Sequence, residues 1–428
     1  MSGTPARAAA PGQTRGALAV RLFACFAAGF FMSYGLRAIN AVLAPELVAA
    51  ADLSHAQLGS LSSAYFLTFA LMQLPLGVWL DRYGPRRVDA VLMGVAALGC
   101  AIMATASSFA GLWIGRALIG AGVSAALMSS LIAFRQWFPP DRQTRLAAWM
   151  MTAGVSGVLM ATVPVHRALP VLGWRGVFWV AAGVLAAIGV AMWLLLPRGH
   201  ERRAGATQTF TASLTGYRAV FASGYFWQMT LAVGVSHGGF VALQSLWVGP
   251  WFDRVLGFDG AARADRLFLF NLALMGWFFA LGWLAPRVGP GREALARVVV
   301  AGTACVVAAE LAIAWAGGPS AWWLWMLLGA AATVFTLMQP RVALAFPPHL
   351  SGRALTGYNL VIFSWMFVTQ WGFGVAVDAF QAAGHAEPQA FRATMAGLAA
   401  LHAAGLAAFV LWPRRWRGAS RSAKPEEA

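Results

Sequence analysis

Two arginines lie inside long apolar runs of this chain, Arg37 in the first run and Arg116 in the fourth. A guanidinium in hydrocarbon costs about 2.5–3.5 kcal/mol even on lenient insertion scales, so it marks a solute pathway or a buried partner. Arg37 has no acid within a turn or two, since Glu46 stands nine residues on. Its place late in the run allows a second reading, in which the side chain stretches to the membrane surface. Arg116 opens an R-x-x-x-G pattern with Gly120. Gly120 and Gly122 let a neighbouring helix approach closely, and packing with a backbone-carbonyl hydrogen bond is the alternative to a functional charge. Glu310 reads as the only acid deep within a run. A buried lone carboxyl holds its proton more tightly than a solvated one, so Glu310 could be a protonation site or could pair with a polar neighbour. His237 could titrate near neutral pH or be a satisfied core histidine, and His402 reads as structural. No Ser–His pair, carboxylate pair or metal-spaced cluster shares one depth, which argues against an enzyme. Cys25, Cys100 and Cys305 fall at unrelated spacings inside apolar runs and suggest neither a disulfide frame nor a metal site. No cofactor or metal is expected.

The composition says what must position these side chains. The chain has 428 residues, 60% hydrophobic and 11% charged, whereas soluble domains carry about 25% charged residues. Apolar runs of about 20 residues recur, each long enough to cross a bilayer core. They are continuous, not alternating, so they are helices, which satisfy their own backbone in lipid. Twelve spans are expected near 18–40, 58–80, 88–108, 111–134, 147–169, 175–196, 224–249, 266–285, 296–316, 322–345, 354–377 and 393–412. The first is too long for a signal-peptide core and reads as an uncleaved span. The expected division is a cytoplasmic tail over 1–17, a six-helix bundle over 18–196, a central loop over 197–222, a second bundle over 223–412 and a basic tail over 413–428. The net charge of +16 comes from 30 Arg and Lys424. Of these, 23 fall in loops on the side of the N-terminus, six on the opposite side, and Arg37 and Arg116 within spans. That bias puts both termini in the cytoplasm and speaks for a bilayer, not nucleic acid, as the partner. Trp322, Trp323 and Trp325 read as interfacial belt residues.

Between spans two and three, residues 77–87 read Gly-Val-Trp-Leu-Asp-Arg-Tyr-Gly-Pro-Arg-Arg. Gly77, Asp81, Arg82, Gly84, Pro85 and Arg87 recur as Gly282, Pro286, Arg287, Gly289, Pro290 and Arg292 at a constant offset of 205. Two six-span units in one orientation imply a pseudo-two-fold axis along the membrane normal, with a solute site at the repeat interface.

Gly77, Asp81, Arg82, Gly84, Arg86 and Arg87 resemble the G-x-x-x-D-R-x-G-R-R loop of the major facilitator superfamily, and the Trp174-Arg175 start of span six is similar to that superfamily too. The resemblance covers residues 18 to 412. It implies an all-α polytopic membrane protein of twelve transmembrane helices in two pseudo-symmetric six-helix bundles. It also implies that Asp81 caps a neighbouring helix and ties to loop arginine as a cytoplasmic latch, a breakable, partly exposed contact. Pro286 replaces that Asp in the second copy, so one strong latch is expected, not two.

Tyr34-Gly35-Leu36-Arg37, with Asn40 and Pro45, resembles the first helix of the organophosphate and organic-anion branch, which implies that Arg37 binds a substrate anion. That branch carries a second Arg on helix seven. Here span seven offers His237, Gln244 and Trp247. A doubly charged phosphate suits two cationic forks; one Arg with Gln244 and Tyr358 suits a singly charged solute. Arg116 matches an Arg linked to proton movement in proton-coupled facilitators. Further candidates are Tyr34, Asn40, Tyr65, Gln73, Asn271, Gln339, Tyr358, Asn359, Gln370 and Trp371. The reading is a secondary transporter for a small organic anion, proton-coupled or driven by another ion, monomeric and embedded in lipid. Drug efflux is the alternative, weakened because span five has Gly154 and Gly157 without a Gly-Pro-x-x-Gly-Gly run. A solute sensor is another, against which the central loop of about 25 residues is short. The Ala- and Arg-rich, nearly Lys-free composition points to a high-GC bacterium and its inner membrane.

Overall fold

The computed structural model describes residues 16–197, 210–284 and 292–412. The second copy of the charged loop, at Pro286, Arg287, Gly289 and Pro290, and both tails lie outside the described residues. Among the described residues, ten helical stretches are long and apolar enough to cross a membrane. One of them, His55–Thr105, holds spans two and three, hinged at Gly84 (φ 76°, ψ 159°). Only a residue without Cβ adopts that backbone without strain. Pro140–Met160, continued by the first turns of Val163–Leu195 up to a second hinge at Gly173, is span five, and the remainder is span six. With these two the described residues hold twelve spans.

Span one is longer than the expected 18–40. It runs as Gly16–Ala38 and, after a break at Ile39, as Asn40–Ala51. Asn40, Pro45 and Glu46 interrupt the apolar pattern there, so the run looks finished in sequence, but the chain remains helical. Arg37 therefore lies near the middle of its span, not near its end. Span four is broken too, into Phe109–Gly122 and Ala126–Trp137. Within the stretch expected as the central loop, Phe210–Phe221 is a helix, and Tyr217 Oη lies 2.8 Å from Thr356 Oγ1 of span eleven.

The second unit comprises span seven (Gly224–Ala242, a π-helical turn Leu243–Trp247, and Val248–Arg254), span eight (Gly260–Leu284) and span nine (Arg292–Trp315). Span ten has two 3-10 turns, Pro319–Trp323 and Val334–Leu337, around Leu324–Thr333 and before Met338–Leu344. Spans eleven and twelve are Pro348–Ala382 and Glu387–Leu411. Packing repeats between the units. Span one packs on five as seven packs on eleven, and span three packs on six as nine packs on twelve. The units meet along spans one with seven, two with eleven and five with eight. Large side chains such as Leu194, Trp283, Trp315 and Leu411 are exposed, as lipid-facing positions are. Trp325 is not a belt residue. It is buried among Trp251, Phe252 and Phe270, because span ten turns this side of the helix toward spans seven and eight.

On the face opposite Gly16 and Leu411, here the distal face, the units touch backbone to backbone. A Cβ at Gly249 of span seven would strike the Ala41 carbonyl of span one, and one at Gly374 of span eleven would strike the His55 carbonyl. Glycine at these two positions is what lets the halves seal. Gly249→Leu is expected to hold the distal ends apart. Faster thiol labelling of a cysteine placed at Ser62, buried in the parent protein, would report it.

Candidate functional site

Arg37 sits at the junction of the units. Its guanidinium lies 3.9 Å above the Tyr34 ring, on the span that packs against span seven of the second unit. It forms no ion pair among the described residues. The break at Ile39 leaves carbonyls of the preceding turn in need of donors. Arg116 supplies them: Nη1 donates to Leu36 O at 2.7 Å and Nη2 to Arg37 O at 3.3 Å. Arg116 is 1% exposed, and Tyr65 stacks under its guanidinium at 5.1 Å. The hydroxyl of Tyr65 donates to Ser33 O at 3.1 Å. Asn40, just past the break, donates from Nδ2 to Ser62 Oγ at 2.7 Å, while its Oδ1 is buried with no partner among the described residues. Arg116 and Tyr65 thus hold the backbone that carries Arg37.

The second unit contributes two amide pairs. Gln244, within the π-helical turn, donates to Asn271 Oδ1 of span eight at 3.0 Å. Gln339 of span ten donates to Asn359 Oδ1 of span eleven at 2.8 Å. π-helical turns recur at functional sites because they re-aim a side chain out of helical register. Tyr358 is buried with its hydroxyl unpartnered among the described residues, as is Nδ1 of His237. Gln370 is placed differently. Its Nε2 donates to Ser245 Oγ at 3.0 Å, and its backbone carbonyl accepts from Trp247 Nε1 at 3.0 Å. Gln370 and Trp247 therefore bind span eleven to span seven. Gln73 is buried and donates to Phe69 O at 3.4 Å, and Trp371 is exposed.

Glu310 and His402 are neighbours, both 0% exposed. His402 Nδ1 lies 2.8 Å from Glu310 Oε2, and Nε2 lies 3.1 Å from Val235 O. A carbonyl only accepts, so Nε2 carries a hydrogen. One further proton then sits between Nδ1 and the carboxyl, as acid with neutral ring or carboxylate with imidazolium. Sequence reading could not pair residues 92 positions apart, although each is the one ionisable group deep in its span. It also missed Asp89, a second fully buried acid, with both oxygens unpartnered among the described residues. Glu310 is not alone. Asp89 lies two residues past the charged loop, in the first turns of span three.

In that loop Arg86 donates to Trp193 O at the end of span six and stacks on its ring at 5.5 Å. Arg82 lies 5.3 Å from the Tyr83 ring. Asp81 and Arg82 are exposed, and Gly77, Arg86 and Arg87 are partly buried. The last carbonyls of a helix attract cations, so Arg86 ties the loop to its own unit.

The sequence profile described as Major Facilitator Superfamily matches residues 25–370. The chain belongs to this superfamily. Among relatives of this facilitator, a probable nitrate/nitrite antiporter of Thermus thermophilus is 31% identical over 256 residues, 56% of this chain and 55% of that one. A hexuronate transporter of Escherichia coli is 27% identical over 174 residues, 41% of this chain and 40% of that one. The matched segments thus span about half or less of those relatives. In fold, the facilitator is similar to a bacterial homologue of the lysosomal transporter Spinster, in an inward-facing, unoccupied conformation. The TM-score is 0.72 at 16% identity, covering 96% of this chain and 98% of that one. A D-xylose–proton symporter gives 0.71 at 14% identity, covering 92% and 98%. The relatives and the similar folds are all named as membrane transporters.

Breaking a buried charged pair by removing one partner costs about 3–5 kcal/mol. Glu310→Ala is expected to destabilise the facilitator on that scale, and Glu310→Gln less, because an amide N–H still reaches Nδ1. Unfolding of detergent-solubilised protein would rank the two.

Proposed function

We propose that this facilitator carries a small, singly charged organic anion by alternating access, coupled to proton movement. The observation that carries the reading is Arg37: a cation near mid-span, at the unit junction, without a carboxylate of its own among the described residues. An uncompensated guanidinium there is expensive unless a solute supplies the negative charge. In this reading the amide pairs Gln244–Asn271 and Gln339–Asn359, with Tyr34, Tyr65, His237 and Tyr358, would meet the hydroxyls of a sugar acid. Nitrate, nitrite and hexuronate, in the names of the relatives, are anions as well. This polar set fits a multidrug site poorly, since such sites are mainly apolar.

In this reading Arg116 is a positioning residue for Arg37, and the Glu310–His402 pair holds the coupling proton. Asp81, with Gly77, Arg82, Gly84, Arg86 and Arg87, forms the latch on the face of the termini. The distribution of basic residues supports both termini being cytoplasmic, in a bacterial inner membrane.

Uptake of glucuronate into proteoliposomes, with and without a proton gradient, tests the proposal. A charge-assisted hydrogen bond contributes about 1.5–3 kcal/mol, so Arg37→Ala should weaken apparent affinity by roughly 10- to 100-fold, and Arg37→Lys should recover part of it. Unchanged uptake by Arg37→Ala would remove anion recognition by this residue. Glu310→Gln should lose gradient-driven accumulation while keeping exchange across the bilayer. Asp81→Asn should slow net transport with little change in affinity.

A further inference from the structure

We propose that His55 is a proton site that locks the distal gate: its imidazolium is clasped between Asp378 and Glu387 of the other unit, and loss of the proton releases the clasp. His55 opens span two, Asp378 lies near the end of span eleven, and Glu387 opens span twelve. Nδ1 is 2.8 Å from Asp378 Oδ1, and Nε2 is 3.0 Å from Glu387 Oε1. A neutral imidazole offers one donor and one acceptor, while ionised carboxylates only accept. Both contacts are satisfied together only when both ring nitrogens carry hydrogen. Closing the gate on a neutral ring would set a lone pair against a carboxylate. Closure and proton uptake are therefore linked.

The surroundings make this a two-position device. Asp378 also accepts from the backbone N–H of His55 at 3.1 Å and of Ala56 at 2.8 Å, the first-turn donors of span two. A carboxylate at a helix N-terminus is favoured by the orphan N–H groups and the dipole. These contacts do not need the ring proton, so they guide the ends together before the ring locks. Glu387 has an alternative partner on its own unit, since Arg254 Nε at the end of span seven is 3.6 Å from the same Oε1. Asp253 Oδ2 lies 3.6 Å from that Arg254 nitrogen, and the Phe391 ring meets His55 edge-on at 5.5 Å. When His55 is neutral, Glu387 keeps Arg254 and releases the other half. His55 is 22% exposed, so its proton exchanges with the solution on the distal face.

The sign follows from linkage. Because both contacts require hydrogen on both ring nitrogens, closure strengthens as pH falls and weakens as pH rises. The inference rests on alternating access alone. It does not depend on Arg37 binding an anion or on Glu310.

Spin labels on cysteines at Ser107 and Ser320, exposed in distal turns of the two units, would report the gate without any substrate. Cys25, Cys100 and Cys305 would be replaced by Ala, and distances measured in lipid nanodiscs at about pH 5 and about pH 9, across the range in which imidazoles titrate. The expected result is one short population at the lower pH and several-fold growth of a longer one at the higher. His55→Gln should give the same distribution at both, and Asp378→Asn should enlarge the longer population even at the lower pH. A parent protein whose distances ignore pH would overturn the proposal without reference to any variant. So would a His55→Gln protein that keeps the parent's pH response. Loss of uptake in Arg37→Ala with an intact pH response would leave this inference standing and test only the anion reading.

Discussion

A cation in hydrocarbon must find compensation, and two such cations meet at the break in span one. Arg116 is fully buried and takes its compensation from backbone carbonyls at the break in span one. Those carbonyls are available only because the helix is interrupted at Ile39. The same interruption places Asn40 against Ser62 and leaves Arg37 half-buried over Tyr34. One arginine satisfies the backbone, and the backbone so held presents the other to the interface. Replacing either changes what the remaining one faces.

The second organising feature is close contact between the halves on one face. Backbone-to-backbone approach at Gly249 and Gly374 brings the distal ends within hydrogen-bond range. Polar groups that would otherwise be solvated, His55, Asp378 and Glu387, then meet across the seam. These groups are partly exposed and titratable, whereas deep positions such as Glu310 and His402 are dry and paired. The contrast suits their surroundings. A contact that must open and close cannot depend on a pair whose separation would strand a charge in the interior. The π-helical turn of span seven lies between the two regions. It turns Gln244 toward Asn271 while the carbonyl of Val235, two turns earlier, receives His402. Span seven thus touches the amide cluster, the buried acid–histidine pair and the distal seam through different faces.

Much was legible in the sequence, and for identifiable reasons. Apolar length alone marks the spans, because lipid admits few alternatives to a helix. The charged loop at Gly77–Arg87 and its offset repeat announce the two units, and the packing of one on five, like seven on eleven, agrees. The errors have causes of equal plainness. Polar residues inside span one disguised its continuation to Ala51 and moved Arg37 from an apparent end to the middle. Trp325 carries an interfacial residue type but turns inward. Asp89 falls at the start of the expected third span, where nothing local reveals that its carboxyl is fully buried.

What the sequence determined by itself is the class of machine: spans, orientation bias, two repeated units, and a small set of ionisable groups at costly positions. Each follows from interactions within one helix length or from the price of charge in lipid, and both are local. What only the tertiary structure decided is which of those groups meet. Arg116 with the carbonyls of Leu36 and Arg37, Glu310 with His402, and His55 with Asp378 and Glu387 are separated by dozens to hundreds of residues. Their pairing depends on helix rotation and on a few glycines that permit contact, which no pattern along a single strand of sequence encodes.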